Sequence, residues 1–249
     1  MKIIQVVGAS NAGKTTFIKR LIGALSADGP VGVVKHLGHH GFFIEPGKDT
    51  TAYYESDAAI SCGIDEEKSV FIMQETDLNA ALEILCNAGV RYAILEGFKT
   101  RVFPRIVIGD IECENTVLRN PSVDDVLAAL DRFEDFYTME GLVRELKRDC
   151  DISHAGAVLT FNGIVREWTG EERTDHLEFD ESLDDLAERV QREIESVPGV
   201  LGARVYHRKG RLYAGEDITY VAILAEHGQE AFAAAASAID RLKRGLHGV

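Results

Sequence analysis

Cysteine is scarce in this chain and scattered. Its four cysteines, Cys62, Cys86, Cys113 and Cys150, stand 24 or more positions apart, so no C-x-x-C pair points to a zinc site or a redox couple. They read as isolated reduced thiols. Long apolar runs are missing too: the longest, such as residues 3–7 and 220–225, fall far short of the roughly 20 residues that cross a bilayer. The first residues enter a strand pattern directly, without a charged-then-apolar leader. The expectation is a soluble, cytoplasmic protein with no membrane partner. Bases are in short supply. Against 41 Asp and Glu stand 27 Lys and Arg, a formal charge of −14, which argues against nucleic acid as a partner because phosphate backbones need a basic footprint. The sequence contains no internal repeat and no low-complexity tract, which excludes solenoids and compositional tails.

What is present is enough apolar sequence, 45% of 249 residues, for one large α/β domain or two small ones. In the first half strand and helix patterns alternate. Strands are expected over residues 3–7, 31–36, 69–73, 92–95 and 105–108, and helices where Phe17, Ile18, Leu21, Ile22 and Leu25 recur and over 78–87. Residues 38–54 carry Gly, His and charge without clear period and read as a long functional loop. Continuous apolar strands alternating with helices predict an α/β fold, a doubly wound parallel sheet covered on both faces. Residues 120–148 look helical and charged, and the domain boundary is expected near Cys150, giving domains 1–149 and 150–249. The second half reads strand 156–165, helix 183–194, strands 203–207 and 218–224, and helix 229–242, a smaller α+β domain. The last helix is expected to bury Phe232, Ala235, Ala236, Ile239 and Leu242 as one stripe.

Gly8-Ala9-Ser10-Asn11-Ala12-Gly13-Lys14-Thr15 fits G-x-x-x-x-G-K-[ST] directly after a strand and before a helix. Glycines let successive N–H groups turn inward around phosphate oxygens, and the following helix aims its positive end at the same anion. Lys14 is expected to bridge the β and γ phosphates. The Thr15 hydroxyl is offered to Mg²⁺, a cation that prefers oxygen ligands. A second acid belongs at the C-terminal end of a buried strand, where open α/β sheets bind ligands. Glu96 has that position, and Asp49 is the other candidate. His36, His39 and His40 read as hydrogen-bond donors near phosphate, since no H-E-x-x-H or cysteine spacing supports a metal centre. No N-K-x-D motif chooses between guanine and adenine.

The phosphate loop with Thr15-Thr16, Lys35-His36 closing the second strand, Gly47-Lys48-Asp49-Thr50, and Glu96-Gly97-Phe98-Lys99 together resemble the molybdopterin-guanine dinucleotide biosynthesis protein B family. The resemblance covers about the first 110 residues. It implies GTP with Mg²⁺ as ligand, weak hydrolysis at most, and service to the molybdenum cofactor guanylyltransferase that attaches the nucleotide to molybdopterin. Residues 8–16, Lys35, His36, Asp49 and Glu96 would then hold the nucleotide, with Thr15 and Glu96 at the metal. The family often has His-His-Asp where this chain has His39-His40-Gly41, which leaves Glu45 or Asp49 to supply an acid.

Residues 150–249 resemble another family on Gly156-Ala157-Val158-Leu159-Thr160-Phe161-Asn162-Gly163-Ile164-Val165-Arg166, Leu177-Glu178, His207-Arg208-Lys209-Gly210 and Gly215-Glu216-Asp217. This is the large, catalytic subunit of molybdopterin synthase. The resemblance implies a dimeric hammerhead fold that binds cyclic pyranopterin monophosphate and takes sulfur from the thiocarboxylated tail of a small partner subunit. Arg166, His227 and Lys243 match its catalytic positions. His227 is followed by Gly228 where that family has Arg, and a further lysine-bearing segment has no counterpart after Arg244-Gly245-Leu246-His247-Gly248-Val249. The expectation is a homodimeric, GTP-binding fusion whose second domain handles a pterin with weak or no sulfur transfer. A working fused synthase and a P-loop regulatory switch with a dimerisation domain are the alternatives. His207-Arg208 reads as a structural pair flanking a turn, and the alanines within 231–238 as a close-packed helix.

Overall fold

A computed structural model of the chain describes residues 1–38, 41, 43–179 and 182–246. It falls into two compact units, Met1–Phe136 and Tyr137–Val249. The division comes earlier than the expected 149/150 boundary. A strongly charged helix, Met139–Asp149, read in the sequence as the approach to the second domain, buries Leu142 and Leu146 against Tyr220, Ala222 and Leu224 of that domain's sheet.

The first unit runs β1 (Lys2–Gly8), α1 (Lys14–Leu25), β2 (Val31–Lys35), α2 (Asp49–Glu55), β3 (Ile60–Ile64), β4 (Ser69–Met73), α3 (Leu78–Asn87), β5 (Tyr92–Glu96), β6 (Arg105–Ile108), β7 (Thr116–Arg119) and α4 (Val123–Leu127). Five parallel strands form its sheet in the order β2-β5-β1-β6-β7. Successive side chains of β1 point to opposite faces. Ile4 and Val6 pack with Phe17, Ile18 and Leu21 of α1 and Val126 of α4, whereas Ile3 packs with Leu78, Leu82 and Cys86 of α3. The sheet is doubly wound as expected, and the Asp77 carboxylate starts α3 by accepting from the N–H groups of Asn79 and Ala80.

Three local expectations are corrected. Residues 69–73 do form a strand, but β4 pairs with β3 in an antiparallel hairpin apart from the parallel sheet. The loop read over 38–54 gives way to α2 at Asp49, fastened where the Ser61 hydroxyl donates to the Thr50 carbonyl at 2.8 Å. Residues 120–148 are not one helical stretch. After α4 and a short 3-10 turn at Leu130–Arg132, the chain passes beside its own N-terminus, where the Phe136 N–H donates to the Met1 carbonyl at 2.7 Å.

The second unit runs α5 (Met139–Asp149), β8 (Ala157–Ile164), β9 (Trp168–Thr169), β10 (Glu172–Arg173), β11 (His176–Phe179), α6 (Ser182–Glu195), β12 (Val200–His207), β13 (Gly210–Tyr213), β14 (Asp217–Ala225) and α7 (Gly228–Leu246). An antiparallel sheet β12-β14-β8 carries α6 and α7 on one face and α5 on the other. This is the expected α+β arrangement. The buried stripe of α7 is corrected: Ala231, Ala234, Ala235, Ala238 and Leu242 face the core, while Phe232 is 67% exposed and Ala236 is exposed. Four short side chains at i, i+3, i+4 and i+7 let the helix axis approach the sheet closely, and a phenylalanine in the stripe would hold it off.

Candidate functional site

β1 delivers the chain to Gly8, where a Cβ would lie 2.3 Å from the Ile108 carbonyl oxygen, so only glycine lets the loop pass. Asn11 (φ 61°) and Gly13 (φ 88°) adopt left-handed backbone. Gly13 then caps α1 with no side-chain acceptor and no acid in the first turn. The helix end is thereby left for an anion rather than satisfied from within. The Lys14 ammonium donates to the carbonyls of Gly8 (3.2 Å) and Ala9 (2.5 Å), folded over the loop it belongs to.

A cavity of about 390 Å³ opens above this loop, lined by Ser10, Asn11, Gly13, Lys14, Thr15, Thr16, Lys35 and Glu96. Parallel register brings the last two into it: Lys35 on β2 and Glu96 on β5 are direct neighbours, and their charges meet at 3.4 Å. Gly8, Ala9 and Ala12 shape the loop without lining the cavity. His36 stands beside it, donating its N–H to the Glu96 carbonyl at 2.9 Å with its ring tilted on Phe98. Asp49 opens α2 and does not line the cavity. His39 and His40 lie outside the described residues, as do His247, Gly248 and Val249. The lining fits a magnesium–phosphate ligand. It offers a hydroxyl and a carboxylate, hard oxygen donors, beside two cations and an uncapped helix start.

Sequence reasoning missed Gln5. It is fully buried in β1, and its amide nitrogen donates to the carbonyls of Gly97 (2.9 Å) and Phe98 (2.8 Å), just past Glu96. The available signal was one amide inside the otherwise apolar run Ile3-Ile4-Gln5-Val6-Val7.

In the second unit Arg166, His227 and Lys243 are all exposed, and the fold holds His227 apart from the other two. Strand register pairs Ile164 with Asp217 at one end of the β8–β14 ladder and Ala157 with Ala225 at the other. Arg166 lies beyond the first end and His227 beyond the second, separated by about 25 Å of strand at ~3.3 Å per residue. α7 starts directly after His227 and carries Lys243 about 22 Å away at ~1.5 Å per residue. The Gly228 position faces open space: a Cβ there meets nothing within 4 Å. His207 closes β12 with its Nδ1 donating to the Arg208 carbonyl at 2.8 Å and its ring edge-on to Phe179, and burial pushes its pKa below the ordinary histidine value.

A family model described as "Molybdopterin guanine dinucleotide synthesis protein B" matches residues 3–132, and one described as "MoaE protein" matches residues 135–245. The chain joins a domain of the first family to a domain of the second. A protein of Haloferax volcanii, "Probable molybdopterin synthase", is 32% identical over 252 residues, covering 96% of this chain and 92% of its own. The "Molybdopterin synthase catalytic subunit" of Staphylococcus carnosus is 37% identical, covering 42% of this chain and 72% of its own. The "Probable molybdopterin-guanine dinucleotide biosynthesis adapter protein" of Bacillus subtilis is 35% identical, covering 43% of this chain and 64% of its own. The protein belongs to molybdenum cofactor biosynthesis. The expected fusion is therefore correct in both halves.

Proposed function

We propose that the first domain binds GTP with Mg²⁺ and assists the guanylyltransferase that attaches the nucleotide to molybdopterin. The observation that carries this reading is the convergence of Lys14, Thr15, Thr16, Lys35 and Glu96 on one cavity at the start of α1. Lys14, which donates to two carbonyls of its own loop, would pair with the β and γ phosphates of a bound nucleotide. Thr15 and Glu96 would hold the metal. Mg²⁺ supplies charge neutralisation of the phosphates, and Lys35, already beside Glu96, adds a second cation facing them. Calorimetry with GTP, GDP and ATP, each with and without Mg²⁺, tests the assignment: a preference for Mg²⁺–GTP supports it, and no binding of any of them refutes it.

The second domain, in this reading, binds cyclic pyranopterin monophosphate or molybdopterin as a homodimer. Arg166 and Lys243 of one copy would be joined at each site by His227 of another, because one copy holds His227 away from both. With Gly228 in place of a guanidinium, binding outlasts efficient sulfur transfer. A second reading, a working synthase, draws support from the Haloferax volcanii relative, whose printed name is that of the synthase. Reconstitution with a thiocarboxylated small subunit separates the two: dithiolene formation at an ordinary rate establishes the synthase.

A further inference from the structure

At the end of β5 the chain turns through two consecutive left-handed residues, Gly97 (φ 96°) and Phe98 (φ 54°). For phenylalanine this backbone is unfavourable, and something outside the turn must maintain it. The Gly97 N–H donates to the Val6 carbonyl at 3.1 Å, and the Glu96 carbonyl accepts from the His36 N–H at 2.9 Å. The Gln5 amide nitrogen donates to the carbonyls of both Gly97 and Phe98; the Phe98 carbonyl also accepts from the Arg101 N–H at 2.9 Å, whereas the donor to the Gly97 carbonyl is Gln5. The other end of that amide, Oε1, is buried with no partner. A buried polar atom left unpaired is costly, so the amide is kept for its donor end. The donor fixes the turn whose first residue places a carboxylate in the cavity.

We infer that Gln5 is a positioning residue for Glu96. It touches neither nucleotide nor metal. It holds the Glu96–Phe98 turn in the one backbone conformation that keeps the carboxylate facing the Mg²⁺ position. The inference rests on the Mg²⁺–nucleotide reading of the cavity. Without the amide, the Gly97 carbonyl loses its donor and the Phe98 carbonyl keeps only the Arg101 N–H, so Phe98 relaxes towards negative φ and Glu96 swings away while the phosphate loop at the end of β1 stays intact.

The test is a calorimetric double-mutant cycle with GTP, with and without Mg²⁺, on the full chain: wild type, Gln5→Met, Glu96→Gln and the pair. Gln5→Met is expected to remove about tenfold of the Mg²⁺-dependent gain in affinity, with Mg²⁺-free binding shifted less than about twofold, and the pair to lose no more than Glu96→Gln alone. A merely structural glutamine would weaken both arms together. Full Mg²⁺ enhancement in Gln5→Met, equal losses in both arms, or additive losses in the pair would each overturn the inference. If Gln5→Met does not fold, the isosteric Gln5→Glu takes its place. Protonated in this buried position it retains one donor, and an intermediate Mg²⁺-specific loss is expected; none overturns the inference. A wild type with no Mg²⁺-dependent binding refutes the cavity reading itself, and this inference with it.

Discussion

Gln5 and Arg105 are cross-strand neighbours on β1 and β6, both buried, and their side chains grip the two ends of one loop. Gln5 donates to the carbonyls of Gly97 and Phe98, and Arg105 to those of Arg101 and Phe103. The segment that follows Glu96 is thus anchored from inside the sheet. Ligand-facing loops of open α/β sheets need this when the strands alone end short of the site.

Gly8→Ala should abolish nucleotide binding more thoroughly than any lining-residue substitution. The added Cβ meets the Ile108 carbonyl oxygen at 2.3 Å, so β1 and β6 must part or the loop must move. A loss of more than about a hundredfold in GTP affinity is expected, read by calorimetry, with a lowered melting temperature of the first domain. Wild-type affinity would mean that the loop is not the phosphate cradle.

If the pterin site forms between copies, Arg166→Ala and His227→Ala should each abolish binding alone and complement one another when mixed. Random exchange puts half the molecules in mixed dimers with one intact site each, so about a quarter of wild-type sites should return. Pterin binding measured after refolding the mixture decides it. No recovery would place the site within a single copy.

Gly228→Arg should strengthen binding of cyclic pyranopterin monophosphate by about tenfold, the worth of one charge-assisted contact. Open space around this position lets the side chain in without strain. An unchanged affinity, with the fold intact, would show that the missing guanidinium does not limit the site.

His207 gives the second domain a defined response to acid. Desolvation lowers its folded-state pKa below 6.5, so the unfolded chain takes up a proton at a higher pH than the folded one. Its contribution is therefore present above pH 6.5 and is lost as pH falls through 6.5 towards the lower folded-state value. Melting of the second domain should fall over this window, and His207→Leu should flatten the dependence. A slope that persists in the variant would assign it to other groups.

The sequence made the chemistry of the first site legible because that chemistry is local. Gly8 to Thr15 sit on one strand–loop–helix unit, and the apolar run ending in Glu96 marks a buried parallel strand. What it hid depends on contacts between distant segments. Lys35 meets Glu96 only through the register of β2 on β5, and Gln5 acquires its role only through where β5 turns. β7 has four residues, too few for a period, and β3 mixes Cys and Gly with two exposed isoleucines. In α7 alanines rather than phenylalanine face the sheet, since closeness of approach and not hydrophobicity alone chose the buried stripe. The separation of Arg166 from His227 likewise needs the β8–β14 pairing, which no motif encodes.

The most direct test is calorimetric titration of GTP with Mg²⁺ into the full chain and into Lys14→Ala. The Lys14 ammonium donates to two carbonyls of its own loop, so the fold should survive the substitution. Binding should weaken by about 1.5–3 kcal/mol, roughly ten- to a hundredfold, as one charge-assisted contact to phosphate is lost. An unchanged dissociation constant with Mg²⁺ present would contradict the nucleotide-site assignment.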